Sequence, residues 1–205
     1  QNSRCTFGKL VHGYDGNAEH SEEIEQVHVA RGITIRRFVG RNAGDRVGAN
    51  DGGKVSQLVE LAIAPYPEFI LNSCELERGG PSYAYDTLRG IKADQPDTTI
   101  CWLMGADSFN SFPDWYQPEG ILQLAHLIVC LRPGVALDQS IFAEHQLLPG
   151  QGLHDFGAGK IVFHPMQPNP CSATEIRQAL KSGHPENPCL PAPVLEFIKQ
   201  NHLYE

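Results

Sequence analysis

Four short apolar runs, separated by amphipathic stretches, constrain the fold of this chain more than any other feature. The runs cover residues 33–39, 98–103, 126–131 and 160–163. Apolar residues recur at helical spacing in four further segments, residues 55–63, 84–91, 172–183 and 193–198. Strands that are apolar on both faces need cover on both faces. The pattern therefore predicts an α/β fold, a doubly wound parallel sheet with helices on both faces, and a ligand site at the carboxyl ends of the strands.

Charge and length narrow the class of ligand. The chain has 205 residues, enough for one domain with a substantial core, and its formal net charge of −8 argues against a dedicated nucleic-acid binder. Residues 1–56 nevertheless carry eight Lys and Arg against seven Asp and Glu, so the acidic excess lies beyond them. This distribution suits a small anionic ligand that is bound locally.

Membrane, secretory and zinc-binding classes are not favoured. The longest apolar runs are far shorter than the roughly 20 residues that span a bilayer, and the first ten residues lack the apolar core of a signal peptide. The six cysteines are scattered without a C-x-x-C pair, and the nine histidines have no zinc-ligand spacing with them. We therefore expect reduced cysteines in the cytoplasm rather than a disulfide scaffold, and no membrane partner.

Four candidate binding residues follow the predicted strands. Gly105 can let a ligand approach the backbone, and Asp107 can accept ribose hydroxyls, although a turn glycine with a helix cap would look the same. Trp115 lies in a polar stretch and could stack on a heteroaromatic ring or cover the core. Arg132 could hold a phosphate or be a solvated charge.

The strongest local signal is the run Cys171-Ser-Ala-Thr-Glu-Ile-Arg177. It places Ser172, Thr174 and the first N–H groups of a helix close to Arg177, an arrangement that suits an anion. A capping box with a surface arginine is the alternative. Further upstream, Pro81 and Ser82 precede another helix, where Ser82 is a plausible cap.

From about Leu58 onward, the chain resembles the bacterial nicotinate mononucleotide adenylyltransferases of the nucleotidylyltransferase superfamily. The resemblance is carried by Pro81-Ser-Tyr-Ala-Tyr-Asp-Thr-Leu88, Met104-Gly-Ala-Asp-Ser108, Phe112-Pro-Asp-Trp-Tyr116, Ala125-His-Leu-Ile-Val129, Arg132-Pro-Gly134 and Ser172-Ala-Thr-Glu-Ile-Arg177. It implies one Rossmann-like domain over residues 1–205, with a helical carboxyl part from about residue 172. The implied reaction joins ATP to nicotinate mononucleotide with Mg²⁺, and releases pyrophosphate on the way to NAD.

The resemblance also assigns residues to each substrate. Those expected at ATP are Gly105, Asp107, Arg132, Ser172, Thr174 and Arg177. Those expected at the mononucleotide are Ser82, Tyr83, Ala84, Asp107, Trp115 and Tyr116. Ala84 stands where the family usually has a threonine that helps to bind the nicotinate carboxylate. No residue is assigned as a metal ligand.

The amino-terminal third departs from the family pattern of G-G-T-F-D-P-x-H-x-G-H, whose two histidines contact the phosphates. In one register His12 takes a histidine position, and in another His20 does, with Asn17 and Glu19 in place of a histidine and a glycine. His12 and His20 are therefore both catalytic candidates. Besides a working enzyme, two alternatives stay open: a nucleotide-binding protein of the same fold with little catalysis, and a nucleotidylyltransferase that acts on phosphopantetheine.

Overall fold

The structure, a computed structural model, describes residues 33–34, 52–78, 81–166, 171–183 and 189–204. These residues fall into two compact units. Residues 81–166 belong to the first unit, and the other described residues belong to the second.

A three-stranded parallel sheet is the centre of the first unit. Its strands are β3 (Cys101–Gly105), β4 (His126–Leu131) and β5 (Ile161–Pro165), in the order β3-β4-β5. Gly105 pairs with Cys130, so both strands end at the same edge of the sheet. The first four residues of β4 are buried, as expected for a strand covered on both faces. The predicted α/β class with a parallel sheet is confirmed.

Helices connect and cover these strands. They are α3 (Ala84–Asp94), α4 (Ala106–Asn110) and α5 (Pro118–Leu124), with short 3-10 turns at Phe112–Asp114, Ala143–His145 and Leu153–Asp155. Leu88, Phe109, Phe112, Ile121 and Leu127 are fully buried together with other apolar residues of this unit. The core therefore holds α3, α4 and α5 against the sheet.

Two local predictions for the first unit are wrong in detail. The strand expected from residue 98 begins at Cys101, because the Thr98 N–H donates to the Gln95 carbonyl (3.2 Å) in a turn. Lys92 Nζ also donates to the Thr98 carbonyl at 2.6 Å. Ser82 is not the cap of α3: the N-cap residue is Tyr83, and it makes no side-chain capping bond.

In the second unit, β1 (Ile33–Thr34) pairs with β2 (Phe69–Ile70) in parallel, and the described residues form four helices. These are α1 (Gly52–Ile63), α2 (Cys74–Arg78), α6 (Ala173–Lys181) and α7 (Ala192–Gln200). Leu58 of α1 is buried together with Val194 and Ile198 of α7 and with Leu203. The predicted helices near residues 55–63, 172–183 and 193–198 are confirmed.

A disulfide joins Cys171 to Cys189, with 5.5 Å between the two Cα atoms. It connects the residue before the cap of α6 to the segment that leads into α7. The expectation of reduced cysteines is therefore wrong for this pair. The two cysteines are separated by 18 positions in the sequence and come together only in the folded chain. Among the described cysteines, residues 74, 101 and 130 form no disulfide. Among the described residues, no helix is long and apolar enough to cross a membrane.

Candidate functional site

The end of β3 brings Gly105 and Asp107 into contact. Gly105 closes the strand and is the N-cap residue of α4, and Asp107 lies exposed in the first turn. A Cβ atom on Gly105 would overlap Oδ1 of Asp107, so the missing side chain makes room for this carboxylate. The backbone of Gly105, with φ of −81°, does not itself require glycine. A Cβ atom at position 105 would therefore require the Asp107 side chain to move.

Arg132 follows β4 at the same edge of the sheet and is exposed. Within the described part of the chain it forms no salt bridge. The segment after it is tied to the end of α4 by Asn110, whose Nδ2 donates to the Ala136 carbonyl (2.8 Å) and whose Oδ1 accepts from the Asp138 N–H (3.0 Å). The segments that follow β3 and β4 are therefore fastened together, as a site at the carboxyl edge requires.

Among the described residues of this unit, two tyrosines are exposed aromatic residues. The rings of Tyr83 and Tyr116 lie 4.6 Å apart with a tilt of 39°, and the two residues are 41% and 48% exposed. Trp115 is half-buried instead, with its ring 5.6 Å from that of the buried Phe112 in an edge-to-face contact. Tyr116 and Tyr83 thus offer more free ring surface for stacking than Trp115 does.

The neighbours of Tyr83 differ in how far they reach solvent. Ser82, which precedes it, is half-buried. Ala84 begins α3 and is only 4% exposed, packed among the core residues of this unit. A hydroxyl introduced at position 84 would therefore be attached to a Cβ atom that is largely buried.

The sequence patterns do not indicate Tyr85 and Gln117, which neighbour Tyr116, or Gly120, which neighbours Tyr85. Tyr85 contacts the ring of Tyr116 from α3, Gln117 follows Tyr116 with a left-handed backbone, and Gly120 leaves room for Tyr85. These contacts join α3 to α5, and no spacing within either helix indicates them.

In the second unit, the first turn of α6 has the predicted cap. Ser172 is the N-cap residue, and its Oγ accepts from the Glu175 N–H at 3.3 Å. Thr174 is exposed and Arg177 is half-buried, and within the residues described Arg177 forms no salt bridge. The helix dipole, two hydroxyls and a guanidinium thus lie within two turns, which suits a bound phosphate chain.

The predicted residues are divided between the two units. Gly105, Asp107, Arg132 and the residues around Tyr83 and Tyr116 belong to the first, and Ser172, Thr174 and Arg177 belong to the second. His12 and His20 lie outside the described residues.

The described residues include no group of three His, Cys, Asp or Glu side chains arranged to hold a metal ion. Mg²⁺ keeps several waters and is commonly held by one or two carboxylates together with substrate phosphates. The exposed carboxylate of Asp107, without a protein cage around it, fits a divalent cation that arrives with the triphosphate.

Comparisons with known proteins agree with this fold. The model of the cytidylyltransferase-like family matches residues 19–179. Nicotinate-nucleotide adenylyltransferase of Escherichia coli O157:H7 is 36% identical over 194 residues, which cover 90% of this chain and 91% of that protein. A protein of Aeromonas salmonicida named "Probable nicotinate-nucleotide adenylyltransferase" is 37% identical over 153 residues, 72% of either chain.

A solved structure is similar in fold. The nicotinic acid mononucleotide adenylyltransferase of Plasmodium falciparum, complexed with APC, aligns with a TM-score of 0.50 and 16% identity. The alignment covers 76% of this chain and 75% of that one.

Proposed function

The chain belongs to the cytidylyltransferase-like family, and from that premise we propose that it transfers the adenylyl group of ATP to nicotinate mononucleotide. The products are nicotinate adenine dinucleotide, a precursor of NAD, and pyrophosphate. The observation that carries this proposal is the 36% identity to a nicotinate-nucleotide adenylyltransferase over 90% of the chain. We further propose that the reaction takes place in the cytoplasm, within one domain formed by residues 1–205.

The chemistry requires positioning rather than a strong base. An oxygen of the mononucleotide phosphate attacks the α-phosphorus of ATP in line with the bond to pyrophosphate, which breaks as the new bond forms. The attacking oxygen is already an anion, so no protein group has to remove a proton from it. Catalysis then comes from alignment of the two substrates and from cationic or N–H groups at the phosphates.

Each described residue group has a role in this scheme. Asp107, at the carboxyl edge of the sheet, accepts hydrogen bonds from ribose hydroxyls, and Arg132 contacts phosphate from the next strand. Ser172, Thr174 and Arg177 bind the ATP phosphates. His12 or His20 donates to the bridging phosphate oxygens. Mg²⁺ bound with ATP would supply further neutralisation of phosphate charge, and Asp107 could contribute a carboxylate ligand to it.

The mononucleotide binds where the first unit offers aromatic surface. The nicotinate ring stacks against the aromatic surface of Trp115 and Tyr116, with Ser82, Tyr83 and Ala84 at the start of α3. Ring stacking depends only weakly on the charge of the nicotinate carboxylate. Ala84 has no hydroxyl that could donate a hydrogen bond to this carboxylate. We therefore expect a smaller preference for the acid over the amide form than a threonine at this position would give.

One assay tests the proposal. Pyrophosphate release is measured with ATP and Mg²⁺ in the presence of nicotinate mononucleotide, its amide, or phosphopantetheine, and binding of each compound is measured by calorimetry. We expect turnover with nicotinate mononucleotide and none with phosphopantetheine. The opposite preference would overturn the assignment of substrate.

A nucleotide-binding protein with little catalysis is the second candidate, because neither register of the amino-terminal motif recovers both histidines. In the register that uses His20, Asn17 and Glu19 replace a histidine and a glycine. A glutamate close to a triphosphate would repel it, and the loss of one transition-state donor can cost about 10²–10³ in rate. Binding of both substrates without pyrophosphate release would favour this candidate. A Glu19→Gly variant that restores turnover would then identify the cause.

A further inference from the structure

The disulfide of the second unit lies directly beside the proposed phosphate site. Cys171 precedes Ser172, the N-cap residue of α6, whose Oγ accepts from the Glu175 N–H at 3.3 Å. Arg177 follows within the next two turns of the same helix. A displacement of Cys171 is therefore passed to the helix cap through a single peptide unit, which is planar and stiff.

The other half of the disulfide belongs to a firmly packed part of the same unit. Cys189 is followed by Leu190, whose side chain packs against the buried core formed by α1 and α7. Pro191 is the N-cap residue of α7, and its ring restricts the backbone at this point. The bond to Cys189 therefore ties Cys171 to a segment that the core holds in place.

The two ends of α6 are held differently. Leu180, in the last turn, packs against the same core, although no residue of this helix is fully buried. In the first turn, Ala173, Thr174 and Glu175 are exposed. Segments with few buried apolar contacts open easily. The first turn therefore depends on the covalent bond to Cys189 for its position more than the last turn does.

A dithiol reductant can reach this bond, because Cys171 is exposed and Cys189 is half-buried. A thiolate of the reductant attacks the Cys171 sulfur, the S–S bond breaks, and Cys189 leaves as a thiolate. The second thiolate of the reductant then displaces Cys171. The disulfide gains two electrons and two protons, and the dithiol is oxidised to a disulfide. In the cytoplasm, the location proposed above, disulfides are usually transient and often sense the redox state.

We propose that the disulfide between Cys171 and Cys189 is a redox switch that controls the affinity for ATP. In the oxidised protein, the bond holds the first turn of α6 in the arrangement that binds phosphate. In the reduced protein, only a fraction of molecules has this arrangement, and the apparent affinity falls by that fraction. The inference rests on the proposed function, because it takes the first turns of α6 to be the ATP phosphate site.

The test compares the oxidised protein with the protein reduced by dithiothreitol, by calorimetric titration with ATP and Mg²⁺. The Kd for ATP should rise about three- to tenfold on reduction, which corresponds to a binding arrangement in about 10–30% of the reduced molecules. The Kd for nicotinate mononucleotide should change less than twofold. The double variant Cys171→Ser and Cys189→Ser should bind ATP as the reduced protein does, with or without reductant. Cys74→Ser, which leaves the disulfide intact, should keep the full response.

A variant without the phosphate contact tests whether the disulfide acts through α6. In Arg177→Ala, reduction should change the Kd for ATP less than twofold, because the contact that depends on α6 is already gone. Lys181→Ala removes a charge from the last turn of the same helix and should keep the full response. An undiminished response in Arg177→Ala would show that the disulfide acts elsewhere, and would overturn the proposal.

A measurement on the unmodified protein does not depend on whether the serine variant folds. If ATP binds the oxidised form more tightly, it must favour oxidation by the same factor. Equilibration in mixtures of oxidised and reduced dithiothreitol, followed by counting of free thiols, gives the reduction potential. Saturating ATP should lower it by about 14–30 mV, which is the three- to tenfold ratio at about 30 mV per tenfold for two electrons. No shift with ATP would overturn the proposal.

Failure of the proposed function gives a different result. If the protein binds no ATP in either redox state, that function is wrong and the switch is overturned with it. Equal ATP affinity in both states, together with pyrophosphate release from ATP and nicotinate mononucleotide, would contradict the switch alone. Equal weakening of both ligands on reduction would also contradict it, because the disulfide would then support the whole fold rather than the phosphate site.

Discussion

The contact between Gly105 and Asp107 predicts how a methyl group added at position 105 would affect turnover. In Gly105→Ala, the backbone φ of −81° is acceptable for alanine, but the new Cβ atom displaces the carboxylate of Asp107. Misplacement of a binding group by about 1 Å can cost roughly 10² in rate. We expect turnover to fall about 10- to 100-fold while the melting temperature stays within a few degrees, measured by pyrophosphate release and thermal unfolding.

Gly157→Ala is the matched control, because a Cβ atom there meets nothing within 4 Å. It should leave both turnover and melting temperature unchanged. Full activity of the Gly105→Ala protein would show that the position of Asp107 does not matter for the reaction.

His126 makes the stability of the first unit depend on pH. The residue is fully buried, its Nε2 bonds to the Phe156 carbonyl (3.1 Å) and its Nδ1 accepts from the Lys160 N–H (3.1 Å). The ring is therefore neutral, with its proton on Nε2. Burial lowers the pKa of His126 below 6.5, and the charges of Lys160 and Lys92 act in the same direction, while the bond to Phe156 opposes them. Protonation would break the bond from Lys160.

Because the pKa is lowered by folding, the unfolded chain binds this proton more readily than the folded one does. The free energy of unfolding should therefore be lost as pH falls below about 6.5, with a limiting contribution of about 1.4 kcal/mol per pH unit for one proton. Urea unfolding between pH 5 and 8 measures this slope. His126→Gln should reduce it, whereas His154→Gln, at an exposed site, should not. Equal slopes in all three proteins would contradict the role of His126.

Helix α6 combines the predicted phosphate contacts with a capped first turn. Arg177→Ala should weaken ATP binding by about 1.5–3 kcal/mol, the scale of a charged hydrogen bond, with little effect on binding of the mononucleotide. Calorimetric titration with ATP measures the change. Lys181→Ala removes a charge from the last turn of the same helix and is the control. Unchanged ATP affinity in Arg177→Ala would show that Ser172 is only a helix cap.

The disulfide should stabilise the same helix. Closing a loop of this length is worth about 2–4 kcal/mol, so dithiothreitol should lower the free energy of unfolding by that amount in urea titrations. The double variant Cys171→Ser and Cys189→Ser should start at the lower value and no longer respond to the reductant. Cys74→Ser should respond as the unmodified protein does, since Cys74 is a free thiol. Equal stability with and without reductant would contradict this prediction.

Local patterns predicted the positions of the helices better than the contacts between residues that are distant in sequence. The spacing of apolar residues located α1, α3 and α7, and the run from Ser172 to Glu175 located the cap of α6, because each signal lies within a few consecutive residues. The contact of Tyr85 with Gly120 and the bond between Cys171 and Cys189 join residues that are distant in sequence. A single sequence contains no period that pairs them.

The two units differ in how their residues are distributed along the chain. The sheet of the first unit and its core lie within residues 81–166, whereas the second unit takes residues from both sides of that segment. The single domain predicted for residues 1–205 stays a prediction. The position of Asp107 and Arg132 at one edge of the sheet followed from strand order alone, since parallel strands end together.

The packing of α1 against α7 has a consequence for the newly made chain. Residues 52–63 leave the ribosome well before residues 192–200, and the whole segment of the first unit is synthesised in between. At a synthesis rate of about 5–20 residues per second, roughly 7–30 seconds pass between the synthesis of Leu58 and that of Val194 and Ile198. During this time the apolar face of α1 lacks its partner in α7. The β3-β4-β5 sheet can form during that interval, so the contact that completes the second unit is made last.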